Sequence, residues 1–389
     1  MSDRLFTPRF FVMCGFTFTV FLSAFQLLPT APYRIQALGG STFAAGLFLG
    51  LLTYASALSA PLTGIISDRI GRRRTLIIAS VVILLCAGGY AMTSSYVVML
   101  TLVIVHGVFW SGLLSASAAY LTNLLPDTRR AEGIGYWGMS SIAAIAVAPP
   151  IAFWIMQRGG WLWICGSCAS LNVLMGIIAF ALPDDTPLAR QLTLPLGRVG
   201  WMPTWSRTLI EWRILALAFT LFLCSFGYGA ITSFSAMYAD AFHISPRSVY
   251  LTTLAIVILL TRPLSAPLAD RIGYRRVLMP CLALVAIGLT TFAAGSTLAT
   301  QLISAMTFGA GFGTAYPVFV AHVLTDVSPI RRGAAFGAIL AAFDTGIGTG
   351  STIVGWLIEQ IGFPAAFGVA AALSVCSLPY FVVAERRLR

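Results

Sequence analysis

Lysine is absent from this 389-residue chain, whose 24 basic residues are all arginine and are set against only 13 acidic ones. Charged residues of both signs make up 10% of the chain, while 58% is hydrophobic and mean hydropathy is +0.88. So little charge excludes an ordinary soluble domain, in which about a quarter of residues are charged. Long polar segments are also scarce, which leaves no room for a soluble signalling domain, and no segment suggests an ATPase partner. No Ser/His dyad, nucleotide motif or metal cluster is present, so an enzyme is not expected. GIGTGS after Asp344 follows no strand and is not a phosphate loop. The seven cysteines sit in apolar runs and act as small hydrophobes. Cys165 and Cys168 form a CxxC, but no second pair or nearby histidine completes a site, so neither metal nor cofactor is expected.

What the chain has instead is apolar runs, each of about twenty residues, the length of helix that crosses roughly 30 Å of hydrocarbon. Twelve are legible, at 10–32, 42–66, 74–93, 97–122, 133–156, 161–182, 212–238, 248–268, 276–295, 298–323, 333–357 and 362–384. Backbone groups in lipid must pair within their own segment, and strict strand alternation is absent, so each run reads as a helix and the fold as all-α and polytopic. We number them spans 1 to 12. The first is too long for a signal peptide and has no convincing cleavage site.

The net charge of +11 suggests nucleic acid only until its distribution is considered. Arg69, Arg72 and Arg73 lie between spans 2 and 3 with Arg74 at the edge of span 3, Arg129 and Arg130 between 4 and 5, and Arg271 and Arg275 between 8 and 9 with Arg276 at the edge of span 9. Arg331 and Arg332 precede span 11, and Arg386, Arg387 and Arg389 close the chain. The alternate loops hold only Arg34, Arg158 and Arg247, while Arg262 falls inside span 8. This bias places both termini in the cytoplasm, requires an even number of spans, and removes the case for nucleic acid.

The chain also repeats itself. Adding 202 carries Asp68 onto Asp270, Gly71 onto Gly273, Gly107 onto Gly309, Arg129 onto Arg331 and Gly160 onto Gly362, without a gap. A six-span unit has been duplicated in parallel: residues 1–182 form one bundle, 183–211 a cytoplasmic linker and 212–389 the second bundle. Such symmetry points to a transporter whose halves rock about a central site. Between spans 2 and 3 the segment GIISDRIGRR presents Gly64, Asp68, Arg69, Gly71, Arg72 and Arg73 in the pattern G-x-x-x-D-R-x-G-R-R. On these residues, and over nearly its whole length, the chain resembles the major facilitator superfamily. The second copy departs from the pattern at Ala266 and Tyr274.

In this turn Gly71 permits a tight reversal, the arginines hold the loop at an anionic leaflet, and Asp68 can face the positive end of another helix, span 11 near Gly333, with Arg72 beside it. The resemblance implies a latch between the halves in the outward-facing state, joined by an acid at the end of span 4, here Asp127. The plainer reading makes the arginines topology markers alone. Span 4 has Val103 where the family often carries an arginine tied to proton coupling, and His106 where it often has glutamine. AIAVAPPIA, at 144–152 in span 5, resembles the family's antiporter pattern with alanines replacing glycines, a hint of export.

Of the acidic residues only Asp344 lies deep, eleven residues into span 11 and about 16 Å from its start. A carboxylate there is costly to keep charged, which suits it to take up and release a proton. The bland alternative is a neutral acid bonded among Thr345, Thr349 and Ser351, or paired with Arg262. Arg262 either snorkels to the inner surface or meets an anionic substrate or Asp344. His106 is either a packing residue or a pH-sensitive contact. The family's use of spans 1, 4, 7 and 10 implies cavity roles for Gln26, Trp110, Tyr228, Ser233, Phe312 and Tyr316. Aromatic walls with few charges suit an amphiphilic organic molecule better than a sugar or phosphate ester. The expectation is a monomeric secondary transporter of a bacterial inner membrane. It exports a small amphiphilic compound by exchange for protons, with uptake of an organic acid or other nutrient as the alternative and a membrane enzyme or sensor a distant third.

Overall fold

In the computed structural model, residues 5–184, 212–325, 327 and 332–388 are described, and among them there is no strand. Among the described residues nine helices are long and apolar enough to cross a membrane, and Val249–Leu264 supplies a shorter apolar stretch. Two of the nine, Arg130–Ala181 and Arg332–Leu388, turn back on themselves at a single glycine and so hold two spans each. Twelve spans in two pseudo-symmetric six-helix bundles result.

Local chemistry explains where each helix begins and turns. Span 1, Pro8–Leu27, starts at Thr7, whose hydroxyl accepts from the Phe10 amide at 3.2 Å, and Pro8 supplies a pre-set φ. It stops earlier than its apolar run, because Pro29 and Pro32 interrupt the hydrogen-bond ladder, and the chain resumes as the short helix Ala31–Ala37. Span 2, Thr42–Ile70, is capped by Ser41 and passes directly into span 3, Arg72–Met92, at Gly71, whose φ of 99° only glycine adopts freely. The counterpart between span 8, Val249–Ile272, and span 9, Tyr274–Ala294, is Gly273 at φ 94°. Spans 5 and 6 meet at Gly160 (φ 67°), and spans 11 and 12 at Gly362 (φ 78°). Where the hydrophobic pattern suggests loops of several residues, one glycine makes the turn, and the duplication is thus written in the backbone as well as in the sequence.

Span 4 is Tyr96–Leu124, span 7 Trp212–Ala241 and span 10 Leu298–Thr325. The halves touch mainly through two pairs, span 2 against Arg332–Leu388 and Arg130–Ala181 against span 8, with smaller contacts of span 2 and the short helix Ala31–Ala37 against span 7. The two main pairs are images of each other under the 202-residue shift. The first is a seam of small residues. A Cβ on Gly46 would collide with the Ser351 carbonyl, one on Gly50 with Thr352, and one on Gly348 with Thr53. In lipid no hydrophobic drive pulls helices together, so backbones this close gain from van der Waals contact and interhelical hydrogen bonds. GIGTGS is therefore a packing surface: Gly346 and Gly350 lie against the span 7 backbone, and Gly348 against span 2.

A candidate substrate cavity between the halves

A cavity of about 320 Å³ is walled by residues of both halves. One wall is aromatic and comes from the first half. Trp110 of span 4 meets Phe21 of span 1 edge-on at 5.4 Å, and His106, one turn earlier, lies 6.5 Å from Trp110. His106 is buried, with Nδ1 3.3 Å from the Tyr90 hydroxyl, and its neighbour Gly107 has no room for a Cβ against the Leu52 carbonyl. Close contact of spans 2 and 4 thus fixes the imidazole at the cavity edge.

The facing wall comes from the second half. Tyr228 of span 7 stacks on Phe312 of span 10 with centroids 4.5 Å apart and planes 16° apart, and Phe343 continues the stack 5.8 Å beyond. Tyr316 packs on Phe343 at 4.7 Å and lies within electrostatic reach of both Arg262 and Asp344, which also line the cavity. Among the described residues Asp344 has no hydrogen bond and no ion pair. Thr349 donates to the Thr345 carbonyl at 2.7 Å and meets Tyr54 at 2.8 Å. Ser351 donates to the Gly46 carbonyl at 2.8 Å. These hydroxyls therefore do not hold the Asp344 carboxyl.

Of the other residues that sequence reasoning singled out for the cavity, Gln26 and Ser233 point elsewhere. Gln26 is 1% exposed and its Oε1 accepts from Ser167 at 2.9 Å, tying spans 1 and 6 inside the first bundle. Ser233 is bonded to Ser351 at 2.7 Å, behind the seam with Gly46. Both are corrections of position: a polar side chain on an all-apolar helix turns to whichever neighbour offers it a partner. Phe21, Phe25, Thr53, Ser141 and Phe343 line the cavity without any signal in the sequence beyond their apolar runs.

In the arginine-rich turn, Asp68 is exposed and its Oδ1 lies 3.9 Å from Arg72 Nη2. Arg72 also donates to the Ala119 carbonyl at 3.2 Å, tying the turn to span 4. Gly64 has open space where a Cβ would be, while Arg69 closes span 2. Asp127 opens a short 3-10 turn, but its side chain, those at the start of span 11 around Gly333, and residues 185–211 of the expected linker lie outside the described residues.

Among the described residues, hydrogen bonds between the halves fall in the part of the bundle opposite the arginine-rich loops. Tyr33 donates to Asp240 at 2.8 Å, the Phe43 amide to Glu359 at 2.8 Å, and Tyr54 meets Thr349. Arg247 pairs with Asp240 and lies 5.6 Å over the Tyr33 ring. Sequence reasoning missed this cluster because its members are far apart in the chain. It also left Glu385 among the acids of loops, termini and helix ends. Glu385 is 4% exposed, with His322 Nε2 at 3.1 Å and Arg275 Nε at 3.2 Å. The signal was a lone acid in a basic tail, AERRLR.

The sequence model of the Major Facilitator Superfamily matches residues 12–258 and 217–389. An uncharacterized MFS-type transporter of Burkholderia pseudomallei is 25% identical over 383 residues, covering 96% of this chain and 91% of that protein. One from Salmonella typhimurium is 26% identical over 364 residues, covering 88% and 87%. Among solved structures, the nucleoside transporter NupG superposes with a TM-score of 0.73 at 18% identity, covering 97% of this chain and 99% of NupG. The human organic anion transporter MFSD10 gives 0.68 at 17%, covering 97% and 100%. At such identities the structures speak for the fold alone. With the motif, the duplicated bundles and the family match in agreement, the chain belongs to the major facilitator superfamily.

Proposed function

We propose that this protein is a proton-coupled secondary transporter for a small amphiphilic organic compound, working by alternating access, with Asp344 as the proton carrier. The observation that carries the reading is a carboxylate with no partner among the described residues, set in an aromatic cavity between the halves. The bundles 1–182 and 212–389 rock as bodies about that cavity, in a bacterial inner membrane with both termini in the cytoplasm. Asp68, Arg72 and Asp127 close the cytoplasmic end in the opposite state. His106 is a further titratable group at the cavity edge, beside Trp110.

Two senses of coupling fit this frame, and a specific observation favours each. Arg262 lines the same cavity as Asp344, which supports co-transport of an organic acid with a proton. Ala144, Ala148 and Ala152 of span 5 are fully buried, a close-packed stripe like that of exchangers, which supports export. The geometry supports co-transport better, because Arg262 belongs to the cavity and the alanines do not line it.

The test is transport in proteoliposomes of purified protein, screened with labelled organic acids and amphiphilic amines under an imposed pH gradient. Accumulation with the gradient supports co-transport, accumulation against it supports exchange, and indifference to pH in both wild type and Asp344→Asn refutes proton coupling.

A further inference from the structure

Resting on the proton-coupled reading, we propose that the substrate is a small planar aromatic monoanion, its acid group held by Arg262 and its ring between the two aromatic walls. Five titratable or charged groups face the cavity among the described residues: His106 from span 4, Tyr228 from span 7, Arg262 from span 8, Tyr316 from span 10 and Asp344 from span 11. Their charges are not alike. An arginine keeps its proton in any protein setting, whereas an aspartate can lose its charge by taking one up. With Asp344 ionised the acid and the base cancel, and with Asp344 protonated the cavity is left positive. A proton on His106 makes it more so, and the tyrosines are neutral near pH 7. Among these five groups the charge therefore alternates between neutral and positive and is never net negative. An organic cation finds no state that attracts it. An anion finds one, and it is the state in which the proton is already bound, so proton and anion load together.

The remaining features narrow the class. The guanidinium is a planar fork matched to a carboxylate, and a single arginine suits one acid group better than a diacid or phosphate ester. Tyr228, Phe312 and Phe343 of the second half form a continuous stack and Trp110 and Phe21 of the first half pair edge-on, so a flat ring in the cavity has aromatic neighbours from both halves. The volume of about 320 Å³ is near the lower limit of ligand pockets, which admits one or two fused rings.

The experiment uses detergent-purified full-length protein and binding by thermal shift and calorimetry. The probes are four aromatic carboxylates (benzoate, phenylacetate, 2-naphthoate and indole-3-acetate), their primary amides, the corresponding arylmethyl amines, and cyclohexanecarboxylate. The proposal expects at least one aromatic carboxylate to bind, more tightly at pH 6 than at pH 8, with its amide and amine at least tenfold weaker. Arg262→Gln should weaken that binding by about tenfold or more, and Arg262→Lys should restore part of it. Asp344→Asn, which fixes the uncharged form of this side chain, should bind at pH 8 about as tightly as the wild type does at pH 6, with most of the pH dependence lost. Binding of the amines in preference to the acids overturns the proposal. So does failure of every carboxylate to bind, or acid binding unchanged in Arg262→Gln. Should that variant fail to fold, the ranking of acid, amide and amine on the wild type decides. Carboxylates that bind through Arg262 with no response to pH in either wild type or Asp344→Asn leave the substrate class standing and remove proton coupling.

Discussion

At the scale of the residue, an acid inside an apolar helix cannot be hidden by patterning, which is why Asp344 stands out in the bare sequence. Under the proposed function it carries the proton, and Thr349 and Ser351, which could have held it as a static partner, are engaged elsewhere. Replacing it with asparagine keeps shape and removes the titrating proton. Asp344→Asn is expected to lower gradient-driven accumulation at least tenfold while leaving exchange of substrate across the membrane, read by counterflow in proteoliposomes. Glu385 makes a different prediction. Its buried carboxylate meets His322 and the half-exposed Arg275, so Glu385→Gln removes the negative charge that both face. A loss of about 1–3 kcal/mol in stability is expected, seen as a lower melting temperature in detergent. The residues that sequence reasoning misplaced, Gln26 and Ser233, lie on helices apolar on every side. Periodicity there says nothing about which face looks into the cavity, and depth alone was legible.

At the scale of the element, the seam between spans 2 and 11 shows why small residues are needed. Gly46 faces the Ser351 carbonyl and Gly348 the Thr53 side chain, so any larger residue must push the halves apart. Gly46→Leu is expected to prevent closure of the end opposite the arginine-rich loops. A single cysteine placed at Leu49, on the cavity wall, should then react faster with a membrane-impermeant maleimide added from that side than in the otherwise unchanged protein. The twelve apolar runs were legible because a membrane segment must be both long and apolar, but their ends were not. Prolines at 29 and 32 cut span 1 short, and Gly160 and Gly362 replaced whole loops, because turn geometry depends on single residues that leave hydropathy unchanged.

At the scale of the whole molecule, alternating access requires that the closed end be only modestly stable. The hydrogen bond of Tyr33 to Asp240, with Arg247 over the ring, is one polar tie across that end, and Phe43 with Glu359 is another. Each contributes on the order of 1 kcal/mol net, enough to shift a two-state population about fivefold without locking it. Tyr33→Phe with Asp240→Asn removes one such tie and is expected to raise the fraction open at that end about fivefold, measured by distances between spin labels on spans 1 and 7. The repeat and the family were legible over the whole chain because topology is written in glycine and arginine punctuation. The tie was not, since its three members are brought together only by docking the halves. The single-glycine turns at Gly160 and Gly362 give this architecture one more property. A connection of one residue has no slack, so span 5 cannot slide without dragging span 6, nor span 11 without span 12. Each pair is a stiff hairpin whose two legs must tilt together, so a displacement of a few ångströms at the cavity becomes a swing of the whole bundle.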